Sequence, residues 1–307
     1  MSEITMPEFA HHIETRRASG YEFDTDPAVL TIHSHVGEMA IRQEGAVVLE
    51  AWLKKGRHEV PTMILTSDIV DDPYSSHARI AKLGVGSHTM SPVGPSEGFG
   101  GQHGFARWAT YTSEKVGDSK GILRAETPPN YFKLTKEFEI GSDGIPALDS
   151  TIRLQNKTGK RQFTSAGEHF YFPLPDGDAE GLIVNSPNGD APMNDPELRD
   201  LVMSGQAQFW PGFTGDNIGI DFPDGRKILI SGSATILESD GAKTNVDHQL
   251  GMLFWHRPGT ESICIEPTVG FAGIENPGTA SEKVRNQELE LPIGATMILG
   301  TKIELIS

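Results

Sequence analysis

The chain has 307 residues, of which 37% are hydrophobic and 22% charged, enough apolar material for a sizeable core and too much for disorder as its main theme. Its 26 basic and 42 acidic residues leave a formal charge of −16, which repels a phosphate backbone and argues against nucleic acid as a partner. The single cysteine, Cys264, excludes an intramolecular disulfide, no apolar run approaches the ~20 residues of a membrane span, and no secretory signal opens the chain, so the cytoplasm is the expected location.

Residues 1–25 read as a loosely attached leader. From Val29 onward, short extended segments alternate with turn residues every ~8 to 12 positions, and the 34 glycines and 20 prolines fall mostly between them. This rhythm predicts one all-β domain over residues 26–307, a large antiparallel β-sandwich. His33 and His35 alternate on the first segment with Glu38 close behind. They lack a third histidine at a metal-binding distance, and read as ordinary strand residues. No metal or cofactor is expected.

Gly100 to Trp108 is a glycine-rich approach that presents His103 and Arg107 ahead of an aromatic. Between Tyr131 and Ile140, Phe132, Leu134, Phe138 and Ile140 share one face and Lys133, Thr135, Glu137 and Glu139 the other, which is a half-buried strand. A turn at Gly141 to Gly144 leads to a strand with Leu148, Ile152 and Leu154 in phase. After a second turn at Asn156 to Lys160, the segment Gln162 to Leu174 is expected to complete a meander. Within it, His169 and Tyr171 project to one side and Phe170 and Phe172 to the other, so an imidazole and a phenol form a platform for proton transfer.

One helix is predicted over Pro196 to Ser204, with Asp195 or Asn194 as its N-cap. Hairpin signals stand at Pro223-Asp224-Gly225 and at Pro292 to Gly294. In Glu261 to Gly270, Ile263 and Ile265 face one way and Cys264 and Glu266 the other. A carboxylate on the half-buried side of an apolar strand is costly unless it has a partner, which suggests use. Cys264 reads as an inert thiol at the edge of the core.

Taken in order, three segments resemble the aldose 1-epimerase (galactose mutarotase-like) family. His103-Gly104-Phe105-Ala106-Arg107 looks like the HGFAR motif of the glucose-6-phosphate 1-epimerase branch. His169-Phe170-Tyr171-Phe172 is similar to the family's His-x-Tyr-Phe strand, and Cys264-Ile265-Glu266-Pro267 to its CxEP strand. The chain departs from that branch before the last motif. Leu253-Phe254-Trp255-His256-Arg257-Pro258-Gly259 stands where an Asn-Pro-Trp segment is usual.

The resemblance implies a β-supersandwich that interconverts the α and β anomers of a hexose or hexose 6-phosphate without a cofactor. It implies His169 as catalytic acid, Glu266 as catalytic base, and His103 and Arg107 as sugar-binding residues. The family's site aspartate matches Asp216 best, with Asp221 and Asp224 close by. Tyr171, Trp108 and Trp255 are candidates to cover the apolar side of a sugar ring, and His256 to replace a polar contact. A carboxylate such as Glu266 or Asp216 near His169 is expected to raise its pKa toward neutrality. Two rival readings are a glycosidase with Glu266 and Asp216 as paired carboxylates, and a non-catalytic carbohydrate-binding or regulatory protein.

Overall fold

The computed structural model describes residues 27–56, 61–66, 87–93, 95–96, 101–126, 132–141, 144–270 and 289–307. The expected leader and the side chain of Trp108 lie outside what it describes. Strands β1 (Val29–Ser34), β2 (Gly37–Arg42), β3 (Val47–Leu53) and β4 (Thr62–Thr66) form a four-stranded antiparallel sheet in chain order. After β5 (His88–Met90), the short strands β6 (Pro95–Ser96) and β7 (Gly101–Gln102) pair with each other. Then come β8 (Thr112–Val116), β9 (Lys120–Glu126), β10 (Phe132–Ile140), β11 (Ala147–Asn156), β12 (Gln162–Thr164), β13 (Ala166–Pro173) and β14 (Ile183–Asn185). Helix α1 (Pro196–Met203) is followed by β15 (Gln208–Trp210), β16 (Ile218–Asp221), β17 (Lys227–Leu237), β18 (Lys243–Asn245), β19 (Leu250–His256), β20 (Ser262–Val269), β21 (Leu289–Leu291) and β22 (Thr296–Leu305).

A nine-stranded sheet runs β14-β16-β17-β22-β11-β10-β9-β8 with β18 on β17, and a five-stranded sheet runs β15-β19-β20-β13-β5. The four- and five-stranded sheets lie over one face of the nine-stranded sheet. On β10, the Ile140 side chain approaches Gly37 of β2, and Lys136, on the same face, reaches Glu168 of β13. The expected antiparallel β-sandwich is therefore what the chain builds. Among the described residues, no helix is long and apolar enough to cross a membrane.

Local chemistry accounts for several elements. The carboxylate of Asp195 accepts hydrogen bonds from the amides of Glu197 (2.8 Å) and Leu198 (3.2 Å), capping α1 just before Pro196. The Pro223-Asp224-Gly225 turn joins β16 to β17 in a true hairpin, with Gly225 at φ 90°. Two other expectations fail. β13 does not complete a meander, because β22 takes the place beside β11 and β13 enters the opposite sheet between β20 and β5. All eight residues of β13 are buried, which suits a central strand covered on both faces, whereas β10 and β11 alternate buried with half-exposed positions. The turn at Pro292 to Gly294 joins strands that do not pair with each other, since β21 pairs with β12 and β22 lies between β17 and β11.

The inward face of β10 holds one residue that its apolar pattern hides. Phe132, Leu134, Phe138 and Ile140 point into the core as expected, and Lys136, fully buried, points with them. Its ammonium meets the Glu168 carboxylate from the facing sheet and lies 4.7 Å from the Phe138 ring centroid and 5.9 Å from that of Phe170. Ser150 of β11 donates to the same carboxylate oxygen at 2.6 Å. Removing one partner of a buried ion pair strands the other charge, so Lys136→Met is expected to lower unfolding stability by ~3–5 kcal/mol in urea titrations. A loss below ~1 kcal/mol would show that the pair carries no such weight.

Candidate active site

The period of two along each strand decides what faces the site. On β13, Phe170, Phe172 and Glu168 point into the sandwich, so His169 and Tyr171 point to the outer face of the five-stranded sheet. On β20, Tyr171 is registered with Cys264, and on β19, Trp255 with Cys264 and Leu253 with Glu266. Cys264, Glu266 and Trp255 therefore share the face with His169 and Tyr171. His88 of β5, registered with His169, joins them.

His103 and Arg107 arrive from the segment after β7. His103 and Gly104 both adopt positive φ (64° and 63°), and a β-carbon on Gly104 would sit 2.0 Å from the Ser91 carbonyl oxygen. Only glycine allows this close passage, where the amide of Ser91 donates to the His103 carbonyl at 3.2 Å. The turn Ala106–Trp108 that follows carries Arg107 and is tied down by the Tyr111 hydroxyl, which donates to the Ala106 carbonyl at 3.0 Å.

At the centre, His169 Nε2 lies 3.1 Å from Glu266 Oε1, with both side chains only 4% exposed. The His169 ring stacks on His88 (centroids 4.6 Å apart) and on Tyr171 (4.8 Å), and meets His103 (5.0 Å) and Trp255 (5.9 Å) edge to face. The indole of Trp255 is fixed by donation to the Gly205 carbonyl at 3.0 Å. Trp255 and Arg107 are the half-buried members of an otherwise buried group. The Nδ1 atoms of His103 and His169 are buried without a hydrogen-bond partner among the described residues.

Burial dominates the electrostatics. It pushes the Glu266 carboxyl well above the usual carboxylate range. It pushes His169 well below its ordinary 6.5, with the cationic forms of His88 and His103 and the charge of Arg107 adding to the effect. His103 falls to about 3 through burial and then Arg107. The expectation that a nearby carboxylate raises His169 toward neutrality is therefore overturned, because desolvation and cationic neighbours outweigh one carboxyl group. Burial thus favours a neutral imidazole beside a carboxylic acid, two groups that share one exchangeable proton.

Asp216 is not brought to this cluster. It is exposed, its carboxylate bound by Asn188 (3.2 Å) and Thr214 (3.1 Å). The adjacent Gly215 packs on Leu250, which points into the sandwich, away from Glu266. Asp221 pairs with Lys227 and Asp224 with Arg226, so neither replaces it. The paired carboxylates of the rival glycosidase reading are thus not assembled. His256 also falls outside, since it points inward and its Nδ1 contacts the Ser262 carbonyl at 2.8 Å.

His88 is the member that the sequence did not disclose, because only pairing between β5 and β13 sets it against His169. One nitrogen each of His88, His103 and His169 lie within 4.8 Å of one another, as do the ligand atoms of His169, Cys264 and Glu266. These are the donors that could hold a metal ion. The charge of Arg107, felt by both His103 and His169, opposes a dication there. His33 and His35 belong to neither group.

No protein-family model and no curated protein matches the chain. Solved structures do, and the fold is the galactose mutarotase-like one. A galactose mutarotase related enzyme from Lactobacillus acidophilus superposes with a TM-score of 0.65 at 15% identity, over 91% of this chain and 97% of that one. A galactose mutarotase-like protein from Lactobacillus casei gives 0.61 at 15% identity, over 90% and 99% of the two chains. The GalM/aldose epimerase homologue from C. elegans gives 0.56 at 10% identity, over 91% and 99%.

The protonation pattern has consequences for stability. A histidine whose folded pKa is depressed from 6.5 to about 3 loses its contribution as pH falls through that interval, at ~1.4 kcal/mol per pH unit. His103→Asn, which tolerates positive φ, is expected to flatten the acid limb of stability between pH 6.5 and 3, measured by urea unfolding; an unchanged limb would contradict the buried, neutral His103. Glu266 has the opposite sign. Its raised pKa favours the fold at low pH and costs stability as pH rises, so Glu266→Gln is expected to gain on wild type between pH 5 and 8. A constant difference over that range would mean that Glu266 ionises normally.

Proposed function

We propose that the protein is an aldose 1-epimerase that interconverts the anomers of a hexose or hexose 6-phosphate. The observation that carries the reading is the buried contact of 3.1 Å between His169 Nε2 and Glu266 Oε1, on a face that also holds His103, Arg107, Tyr171 and Trp255. Opening a cyclic hemiacetal removes a proton from the C1 hydroxyl and delivers one to the ring oxygen. One base and one acid are needed, and the proton count of the enzyme does not change.

A pair that holds a single proton meets this requirement in either arrangement. With Glu266 ionised and His169 protonated, Glu266 takes the C1 hydroxyl proton and His169 protonates the ring oxygen. The pair then stands as neutral imidazole and carboxylic acid, the state that burial favours. Rotation about the C1–C2 bond and the reverse transfers close the ring as the other anomer. Acting in the opposite sense, Glu266 is the acid and His169 the base. Dryness favours the neutral state, and the sugar's hydroxyl groups supply the polarity that shifts the proton between partners.

Trp255 and Tyr171 offer aromatic faces to the C–H side of the ring, while His103 and Arg107 supply hydrogen bonds to its hydroxyl groups. Arg107 also provides the cation that a 6-phosphate would require, in keeping with the HGFAR segment in which it sits. NMR exchange spectroscopy of the anomeric protons of glucose, galactose and glucose 6-phosphate tests the proposal. Wild type is expected to accelerate exchange for at least one sugar, and His169→Asn to reduce the acceleration by ~10²-fold or more. Sugar binding without acceleration of any of the three would instead assign the protein to non-catalytic carbohydrate recognition.

A further inference from the structure

The ladder that holds His169 is interrupted at His169. Between β13 and β20 the register pairs Gly167 with Thr268 and resumes at Phe170 with Ile265, passing over Glu168 and His169. Pro267 stands opposite this interruption and has no N–H to donate. On its other side, β13 at this point is paired, among the described residues, with the three-residue strand β5. His169, like Glu168 beside it, thus lacks a ladder pair on the β20 side.

Side chains on the reverse of the strand supply a different anchor. Glu168 projects into the sandwich immediately behind His169, where its carboxylate meets the Lys136 ammonium and accepts from Ser150 Oγ at 2.6 Å. Both partners belong to the nine-stranded sheet, so the contact ties β13 across the sandwich at the position where its own ladder lapses. Tyr111 lies close enough to feel the Glu168 charge, and its hydroxyl holds the Ala106 carbonyl next to Arg107. Through Tyr111 the same buried group is coupled electrostatically to the turn that carries Arg107.

Stability does not account for this arrangement. Glu168 Oε2 is buried with no hydrogen-bond partner among the described residues, and replacing a buried ion pair with apolar side chains of similar volume is often neutral or stabilising. We infer that Lys136, Ser150 and Glu168 are positioning residues, which fix the depth and register of β13 so that His169 meets Glu266. The inference rests on the proposed epimerase reading for its catalytic consequence and on the structure alone for its effect on His169.

The test is the triple variant Lys136→Met, Ser150→Ala, Glu168→Leu, which removes every polar member together and keeps the core filled. Thermal unfolding, kcat and KM for anomer exchange, and nitrogen-15 NMR of the His169 imidazole are compared with wild type. The expected result is a melting temperature at or above wild type, a fall in kcat of ~10- to 100-fold with KM within about threefold, and a His169 ring that passes from one fixed tautomer to a mixture. A wild-type kcat, or an unchanged His169 spectrum, would overturn the inference. So would a lower melting temperature with kcat falling in parallel, since that is a structural role only. If wild type itself accelerates no sugar, the epimerase reading fails while the imidazole spectrum still decides the positioning role.

Discussion

Everything at the site depends on which way β13 faces. Because side chains alternate along a strand, a slip of one residue would put Glu168 on the outer face and drive His169 into the core. The contact of Glu168 with Lys136 and Ser150 opposes that slip, since it has partners only on the inner side. A hydrophobic position would tolerate either neighbour with modest preference. A buried charge facing a buried counter-charge does not. From that one orientation follow the placement of His169 against Glu266, of Tyr171 beside it, and of His88 on its ring.

The second constraint is dryness. His169 and Glu266 would form an ordinary ion pair in water, but at 4% exposure each group finds its charged form costly. Cationic neighbours add to that cost for His169. Burial thus favours the neutral forms of the two groups, which share one proton, and this suits a reaction that moves one proton on and one proton off the same ring. Arg107 and Trp255 stand half-buried at the margin, and behind them His103 and His169 carry Nδ1 atoms without a hydrogen-bond partner among the described residues.

Much of this was legible in the sequence, and the failures are instructive. The alternation in β10, the cap of α1 and the inward and outward sides of β13 and β20 are local patterns, and the structure reproduces them. Lys136 was hidden because its neighbours at two-residue spacing are all apolar, while the reason for its burial stands on another sheet. The meander was misread because strand partners are chosen by long-range packing, and a strand buried on both faces belongs at the centre of a sheet. His88 carries no motif and enters the site only through its pairing with β13. The pKa of His169 was misjudged because one carboxylate is visible in the sequence, whereas burial and the convergence of other bases are not.

The central claim is that His169 and Glu266 act together on the anomeric end of a sugar. A crystal structure of the protein with the accelerated hexose bound tests it most directly. The account predicts the ring oxygen and the C1 hydroxyl within ~3 Å of this pair, or joined to it through one water, with the ring's apolar side against Trp255 or Tyr171. A sugar bound with its anomeric carbon turned away from His169, or on another face of the molecule, would contradict it.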